Sequence, residues 1–96
     1  MWSSAFLAEA CAAKASGPVQ NFASVSTDSR TVQTGALYVA LSGENFDGHR
    51  FVAQAIAAGA TGVLVSQSVE CGSNVTVLQV SDTLKALQDI DRKSVV

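Results

Sequence analysis

The sequence predicts an α/β fold: a small, mostly parallel or mixed sheet with flanking helices. Three observations carry that expectation. Residues 36–41 are continuously apolar over the length of a strand, which is how a strand covered on both faces reads. A helix-period segment and the run 62–65 follow, so strand, helix and strand fall within about 30 residues, the parallel crossover unit. A further strand at 75–80 and a helix after it repeat the alternation. With 96 residues the chain is expected to form one domain.

Each element has a local reason. Ser3 or Ser4 can cap a first helix, and Leu7, Ala10 and Cys11 place an apolar stripe at i, i+3 and i+4; the helix is expected to run to about Ala15, before Gly17-Pro18. A short extended stretch is expected at 22–26, and Thr34-Gly35 carries turn chemistry ahead of the apolar strand. Residues 42–48 read as a loop. Asp47 or His49 then opens a second helix, in which Val52, Ala55 and Ile56 share a face and Gly59 suits the left-handed closing residue. The last helix is capped by Ser81 or Asp82 and turns Leu84, Leu87 and Ile90 inward. Residues 91–96 contain no terminating glycine or proline, as expected of a chain that continues.

Composition narrows the function classes. Six basic and eight acidic residues leave a formal charge of −2, without the basic footprint that nucleic-acid binding needs. No apolar run approaches the roughly 18–20 residues of a membrane span. The first fifteen residues lack a basic leader and are interrupted by Glu9 and Lys14, so they read as a helix of the mature protein rather than as a signal peptide. Cys11 and Cys71 are too few for a disulfide framework and read as thiols of a reducing cytoplasm. No Gly-Lys-Thr or Gly-Lys-Ser phosphate loop and no dinucleotide glycine fingerprint is present. His49 is the single histidine, so no metal site is expected, and no catalysis is expected of this chain alone.

Two polar segments remain, each following a predicted strand: Ser26-Thr27-Asp28-Ser29-Arg30 and Ser42-Gly43-Glu44-Asn45-Phe46-Asp47-Gly48-His49. Ligands of open α/β sheets bind outside the carboxyl ends of strands, where two such loops could wall one pocket. The residue types suit a small polar ring with an imide edge. Asn45 offers donor and acceptor, Phe46 an aromatic face, and Ser29 a hydroxyl, while Arg30 can pair with a phosphate or an internal carboxylate. Structural roles compete at each position: Asp28 as a turn residue with Arg30 as its partner, Phe46 as a core plug, His49 as a helix-start residue packed on the loop, and Tyr38 as part of its strand.

The same segments, with Gly35-Ala36-Leu37-Tyr38-Val39-Ala40-Leu41 between them and Phe51, Ala55, Gly59-Ala60 and Val63-Leu64-Val65 after them, closely resemble the amino-terminal domain of the Mur ligases. Gly43-Glu44-Asn45-Phe46-Asp47-Gly48-His49 and the later Val80-Ser81-Asp82-Thr83-Leu84-Lys85-Ala86-Leu87 are most similar to the branch that adds D-alanyl-D-alanine to UDP-N-acetylmuramoyl-tripeptide. The branch that adds the third amino acid is the alternative, and a stand-alone binding module is a second one.

The resemblance implies a UDP-substrate-binding domain of an ATP- and Mg2+-dependent ligase of cytoplasmic peptidoglycan precursor synthesis. It implies that the central ATP-binding and carboxy-terminal domains lie outside residues 1–96, so that this chain binds neither ATP nor Mg2+ itself. Carried over by position, the UDP contacts fall on Thr27, Ser29, Glu44, Asn45 and Phe46, with Asp28, Arg30, Asp47 and His49 as supports. The implied partner is the UDP end of UDP-N-acetylmuramoyl-tripeptide, bound by a monomer, with neither nucleic acid nor membrane involved.

Overall fold

Strands buried on two faces must offer apolar side chains to both, and the chain does so by splitting each apolar run by parity. The computed structural model describes residues 2–43, 46–67, 69 and 74–94. In chain order the elements are β1 (Trp2–Ser3), α1 (Ser4–Ala10), β2 (Lys14–Ser16), β3 (Asn21–Phe22), β4 (Val25–Ser26) and β5 (Leu37–Val39). There follow β6 (Ser42–Gly43), β7 (Phe46–Asp47), a 3₁₀ turn (Gly48–Phe51), α2 (Val52–Ala58), β8 (Gly62–Val65), β9 (Thr76–Gln79) and α3 (Thr83–Ser94). The main sheet has the order β2-β9-β8-β5-β4, parallel except for the antiparallel edge strand β2. The α/β fold with a mostly parallel sheet is therefore present as the sequence predicts.

Leu37, Val39, Leu64 and Leu78 face one side, where Leu7 of α1, Phe22, and Ala86 and Ile90 of α3 complete a core. Ala36, Tyr38, Ala40, Val63 and Val65 face the other, beneath Val52 and Ala55 of α2 and Val32 of the β4–β5 connection. Burying each of the Leu, Val, Ile and Phe side chains among these is worth about 1.5–3 kcal/mol, so this two-sided burial is the main stabilising term. A polar bolt ties the edge of the sheet. The Gln20 side-chain amide donates to Thr61 O at 2.8 Å and to Thr76 Oγ1 at 2.6 Å, and the Thr76 hydroxyl donates to Pro18 O at 2.5 Å.

Helix α2 ends as its glycine suggests: Gly59 has φ 126°, and the Ala60 amide reaches back to Ala55 O at 3.0 Å. A side chain there would also meet the Thr34 backbone, with a Cβ only 2.9 Å from Thr34 Cα.

Besides the loop expected at 42–48, in which Ser42 pairs with Asp47 and Gly43 with Phe46, two expectations are corrected. The first helix does not reach Ala15. It starts on the Ser3 cap, whose Oγ accepts from Phe6 N at 3.1 Å, and ends at Ala10. Ala12 then takes φ 53°, while the Ala13 amide donates to Ala8 O at 2.8 Å and the Ala12 amide to Glu9 O at 3.4 Å. That is the left-handed helix stop usually built on glycine, here built on alanine. It frees Lys14–Ser16 to pair with β9.

The second correction concerns Leu84, which is 52% exposed. At about 100° per residue it lies about 120° around α3 from Ile90, so the inward stripe is Thr83, Ala86, Leu87 and Ile90 instead. The cap is Asp82, whose Oδ1 accepts from Leu84 N at 3.0 Å and Lys85 N at 3.2 Å.

A left-handed alanine costs about 1–2 kcal/mol, against about 0.5–1 kcal/mol for glycine's extra chain entropy. Ala12→Gly is therefore expected to stabilise the chain by about 0.5–1 kcal/mol, and to raise the thermal midpoint by roughly 4 °C. Calorimetry of the two proteins checks this, with Ala12→Val shifting the midpoint downward.

Candidate functional site

Because β4, β5 and β8 are parallel, their carboxyl ends open on one rim of the sheet. Three segments leave that rim: residues 27–30 after β4, 40–43 after β5 with 46–49 returning, and Ser66 after β8. A cleft of about 370 Å3 lies there, lined by Thr27, Asp28, Ser29 and Arg30, by Tyr38 of β5, and by Phe51 and Gln54 at the start of α2.

The first loop is a tight turn organised by Asp28. Its Oδ1 accepts from Arg30 N at 2.9 Å and Nε at 3.2 Å, and Oδ2 accepts from Nη2 at 3.1 Å. The Ser26 hydroxyl accepts from Asp28 N at 3.2 Å, and Asp28 O takes the Thr31 amide at 3.1 Å. The Arg30 guanidinium holds the Asp28 carboxyl below the usual carboxylate range, and Asp28 in turn raises the guanidinium. Both side chains are exposed enough that this forked pair is worth little as stability; what it does is set the loop's shape. Ser29 is buried in the cleft wall, and its hydroxyl has no hydrogen bond to another described residue.

The second segment is pinned at three points. Gly48 packs on the end of β5, its amide donating to Leu41 O at 2.6 Å; a Cβ there would sit 2.7 Å from that oxygen, so only glycine fits. The Tyr38 hydroxyl donates to Gly48 O at 2.9 Å, and burial pushes the phenol's pKa up, with the Asp28 and Asp47 carboxylates adding to it.

The third point is His49, whose side chain is 5% exposed. Its Nε2 accepts from Ser66 N at 2.9 Å, so Nδ1 carries the proton and donates to Asp47 Oδ1 at 2.7 Å. That same Asp47 oxygen caps the 3₁₀ turn by accepting from His49 N at 3.0 Å. Ser66 Oγ lies 3.4 Å from Nε2, which superficially suggests a Ser–His–Asp relay. The Ser66 backbone N–H occupies the lone pair such a base would need, so the trio is a clasp between loop and β8.

The sequence-predicted site residues therefore divide. Thr27, Asp28, Ser29 and Arg30 share the cleft, while Asp47 and His49 form the clasp on the same rim. Glu44 and Asn45 lie outside the described residues; for Phe46 the backbone is described, pairing with Gly43, and the side chain is not. Sequence reasoning did not find Phe51 and Gln54. The available signal was the start of a helix directly after a parallel strand's loop, which points its first turn at the strand ends. Among the described residues, no three His, Cys, Asp or Glu side chains come together as a metal site, and no helix is long and apolar enough to cross a membrane.

The clasp makes two testable demands. His49→Phe keeps the ring but loses both nitrogens, and is expected to cost about 1–3 kcal/mol in chemical denaturation. The hydrogen bonds from His49 hold the Asp47 carboxyl below its ordinary value of 3.8. Its contribution is therefore complete above that value and is lost as pH falls through the lower folded value. Acid titration of stability is expected to show a loss beginning near pH 3.8 that Asp47→Asn reduces.

Residues 21–94 match the profile described as "Mur ligase family, catalytic domain". A UDP-N-acetylmuramoyl-tripeptide–D-alanyl-D-alanine ligase of Synechocystis is 46% identical over 67 residues, which are 69% of this chain and 15% of that protein. A UDP-N-acetylmuramoyl-L-alanyl-D-glutamate–2,6-diaminopimelate ligase of Syntrophomonas wolfei is 39% identical over 72 residues, 74% of this chain and 15% of that protein. In structure, MurF from Acinetobacter baumannii superposes with a TM-score of 0.83 at 32% identity, covering 93% of this chain and 20% of that one. MurF from Thermotoga maritima, solved in complex with ADP, gives 0.63 at 25% identity over 72% of this chain and 16% of that one. This chain thus spans about one seventh of the curated relatives' length, and it belongs to the Mur ligase family.

Proposed function

We propose that this chain is the UDP-substrate-binding domain of a ligase that joins D-alanyl-D-alanine to UDP-N-acetylmuramoyl-tripeptide, a soluble cytoplasmic enzyme of peptidoglycan precursor synthesis. The observation that carries the reading is the cleft at the strand ends, lined by the Thr27–Arg30 turn of the family-like segment. The relatives' names supply the reaction, and the identity to a dipeptide-adding ligase favours that branch.

ATP and Mg2+ are assigned to the parts of the enzyme outside this chain. The residues here do not fit them: no Gly-Lys-Ser or Gly-Lys-Thr loop occurs, and the described residues form no carboxylate or imidazole cluster. What this domain supplies is position. Binding energy from a remote, unreactive end of the substrate can orient the reacting carboxylate, which is how such contacts lower a barrier. Thr27, Ser29, Glu44, Asn45 and Phe46 are the proposed UDP contacts of a monomeric domain, with Asp28–Arg30 and Asp47–His49 holding the two loops in shape.

The third-residue branch is the second reading, favoured by the identity to a diaminopimelate-adding relative. An addition assay on the whole ligase separates them: incorporation of the dipeptide supports the first, and incorporation of a single diamino acid or lysine overturns it. In the same assay Ser29→Ala and Asn45→Ala are each expected to raise KM for the nucleotide substrate about tenfold and to lower kcat by a smaller factor, as loss of a contact that both binds and orients requires. An unchanged KM removes that residue from the pocket.

A further inference from the structure

A buried histidine is restricted to the protonation states that the partners of its two nitrogens allow. The Nδ1 of His49 faces the Asp47 carboxylate at 2.7 Å, a partner that accepts from the neutral and the charged ring alike. Its Nε2 faces the Ser66 amide at 2.9 Å. A backbone N–H only donates, so Nε2 has to keep its lone pair there. That bond is what holds the Ser66 amide, since the ladder of β8 ends at Val65. Few charged groups surround the ring among the described residues. Asp47 lies beside Nδ1, and Arg50, next on the turn, acts on Asp47. β8 and α2 carry no charged side chain, and β5 offers only the Tyr38 phenol, which is bonded to Gly48 O.

We infer that His49 is a positioning residue that works only as the neutral imidazole, and that proton uptake at Nε2 detaches residues 46–49 from the end of β8. An imidazolium would set its Nε2–H against the Ser66 N–H, two donors at 2.9 Å, so the ring has to move. The Ser66 hydroxyl, 3.4 Å from Nε2, can accept only once the ring has left the amide. Nδ1 keeps Asp47 throughout, now as an ion pair, and Asp47 keeps its cap on the 3₁₀ turn. The change is therefore local. The segment loses its pin to β8 and retains the two on β5, through Leu41 O and the Tyr38 hydroxyl. The bond is present while His49 is neutral and is lost as pH falls, within the range of about pH 8 to 5 where an imidazole changes charge. Its consequence for the rim rests on the UDP-binding reading and adds a regulation to it: acid loosens the second loop, and the substrate with it.

Amide hydrogen exchange of this chain, followed by 1H–15N NMR from about pH 8 to about pH 5, reads the bond directly. The Ser66 protection factor is expected to fall about tenfold, the order of one hydrogen bond, with the same midpoint as the His49 ring resonances. Val63 and Leu64 of the same strand are expected to stay protected. His49→Gln keeps an acceptor of similar reach and takes no proton, so it is expected to hold Ser66 equally at both ends of the range. UDP, titrated at millimolar concentration, is expected to lose about fivefold more affinity on acidification with the unsubstituted chain than with His49→Gln. The ligand's own protonation acts on both proteins alike. A Ser66 amide that stays protected while the ring titrates overturns the inference, as does a ring that does not titrate over this range; neither result depends on the variant. If UDP binds both proteins with the same pH dependence, control of the site by His49 is overturned and the UDP-binding reading stands. If protection follows the ring but UDP shifts no residue at either end, that reading fails and the proton-dependent clasp stands.

Discussion

The burial of β5 on both faces is the constraint on which the candidate site depends. Leu37 and Val39 are fully buried on the α1–α3 side, and Tyr38 is 1% exposed on the α2 side. A strand clamped this way cannot slip by one residue without turning two large aliphatic side chains and a phenol onto the wrong faces. Tyr38 then does two things from one position. Its ring lines the cleft, and its hydroxyl fixes Gly48, the point where the second loop returns to the sheet. Core packing thereby sets the distance between the turn after β4 and the segment after β5.

The fold was legible where one physical rule dominated. Continuous apolar runs marked doubly covered strands, Gly59 marked a helix end, and Ser3 and Asp82 marked helix starts through side-chain caps. It was illegible where the backbone overrode the usual residue. Ala12 adopts a conformation for which glycine is the signal, so an alanine-rich helix seemed to continue through a stop. Leu84 is apolar by type, but its angle around α3 from Ile90 turns it to solvent, and residue type alone does not carry that angle.

The site shows the same division. The Thr27–Arg30 segment stood out as a polar run after an extended stretch, and local turn chemistry keeps such a run together in space. Phe51 and Gln54 did not stand out, since each lies in an ordinary helix-start sequence and gains meaning only from what faces it. Ser66 joins the clasp through its backbone N–H, a group every residue but proline carries, so no residue type could have announced it.

Electrostatics bear on how such a rim can hold an anionic substrate. The chain's formal charge is −2, so long-range attraction does not bring a diphosphate to it. Asp28 and Asp47 both have carboxyls held below their ordinary pKa and therefore stay charged at neutral pH, one beside the cleft and one in the clasp. Pairing with Arg30 cancels the first charge locally, and hydrogen bonds from His49 occupy the second. With Arg50 acting on Asp47 as well, the described rim carries Arg30 and Arg50 against Asp28 and Asp47, a balance of charge. Ring packing and carboxamide or hydroxyl hydrogen bonds can add short-range contacts to a neutral group there. On the proposed reading, this suits a positioning domain: it grips the end of the substrate that does not react, and leaves the charged centre of the molecule to groups on the rest of the enzyme.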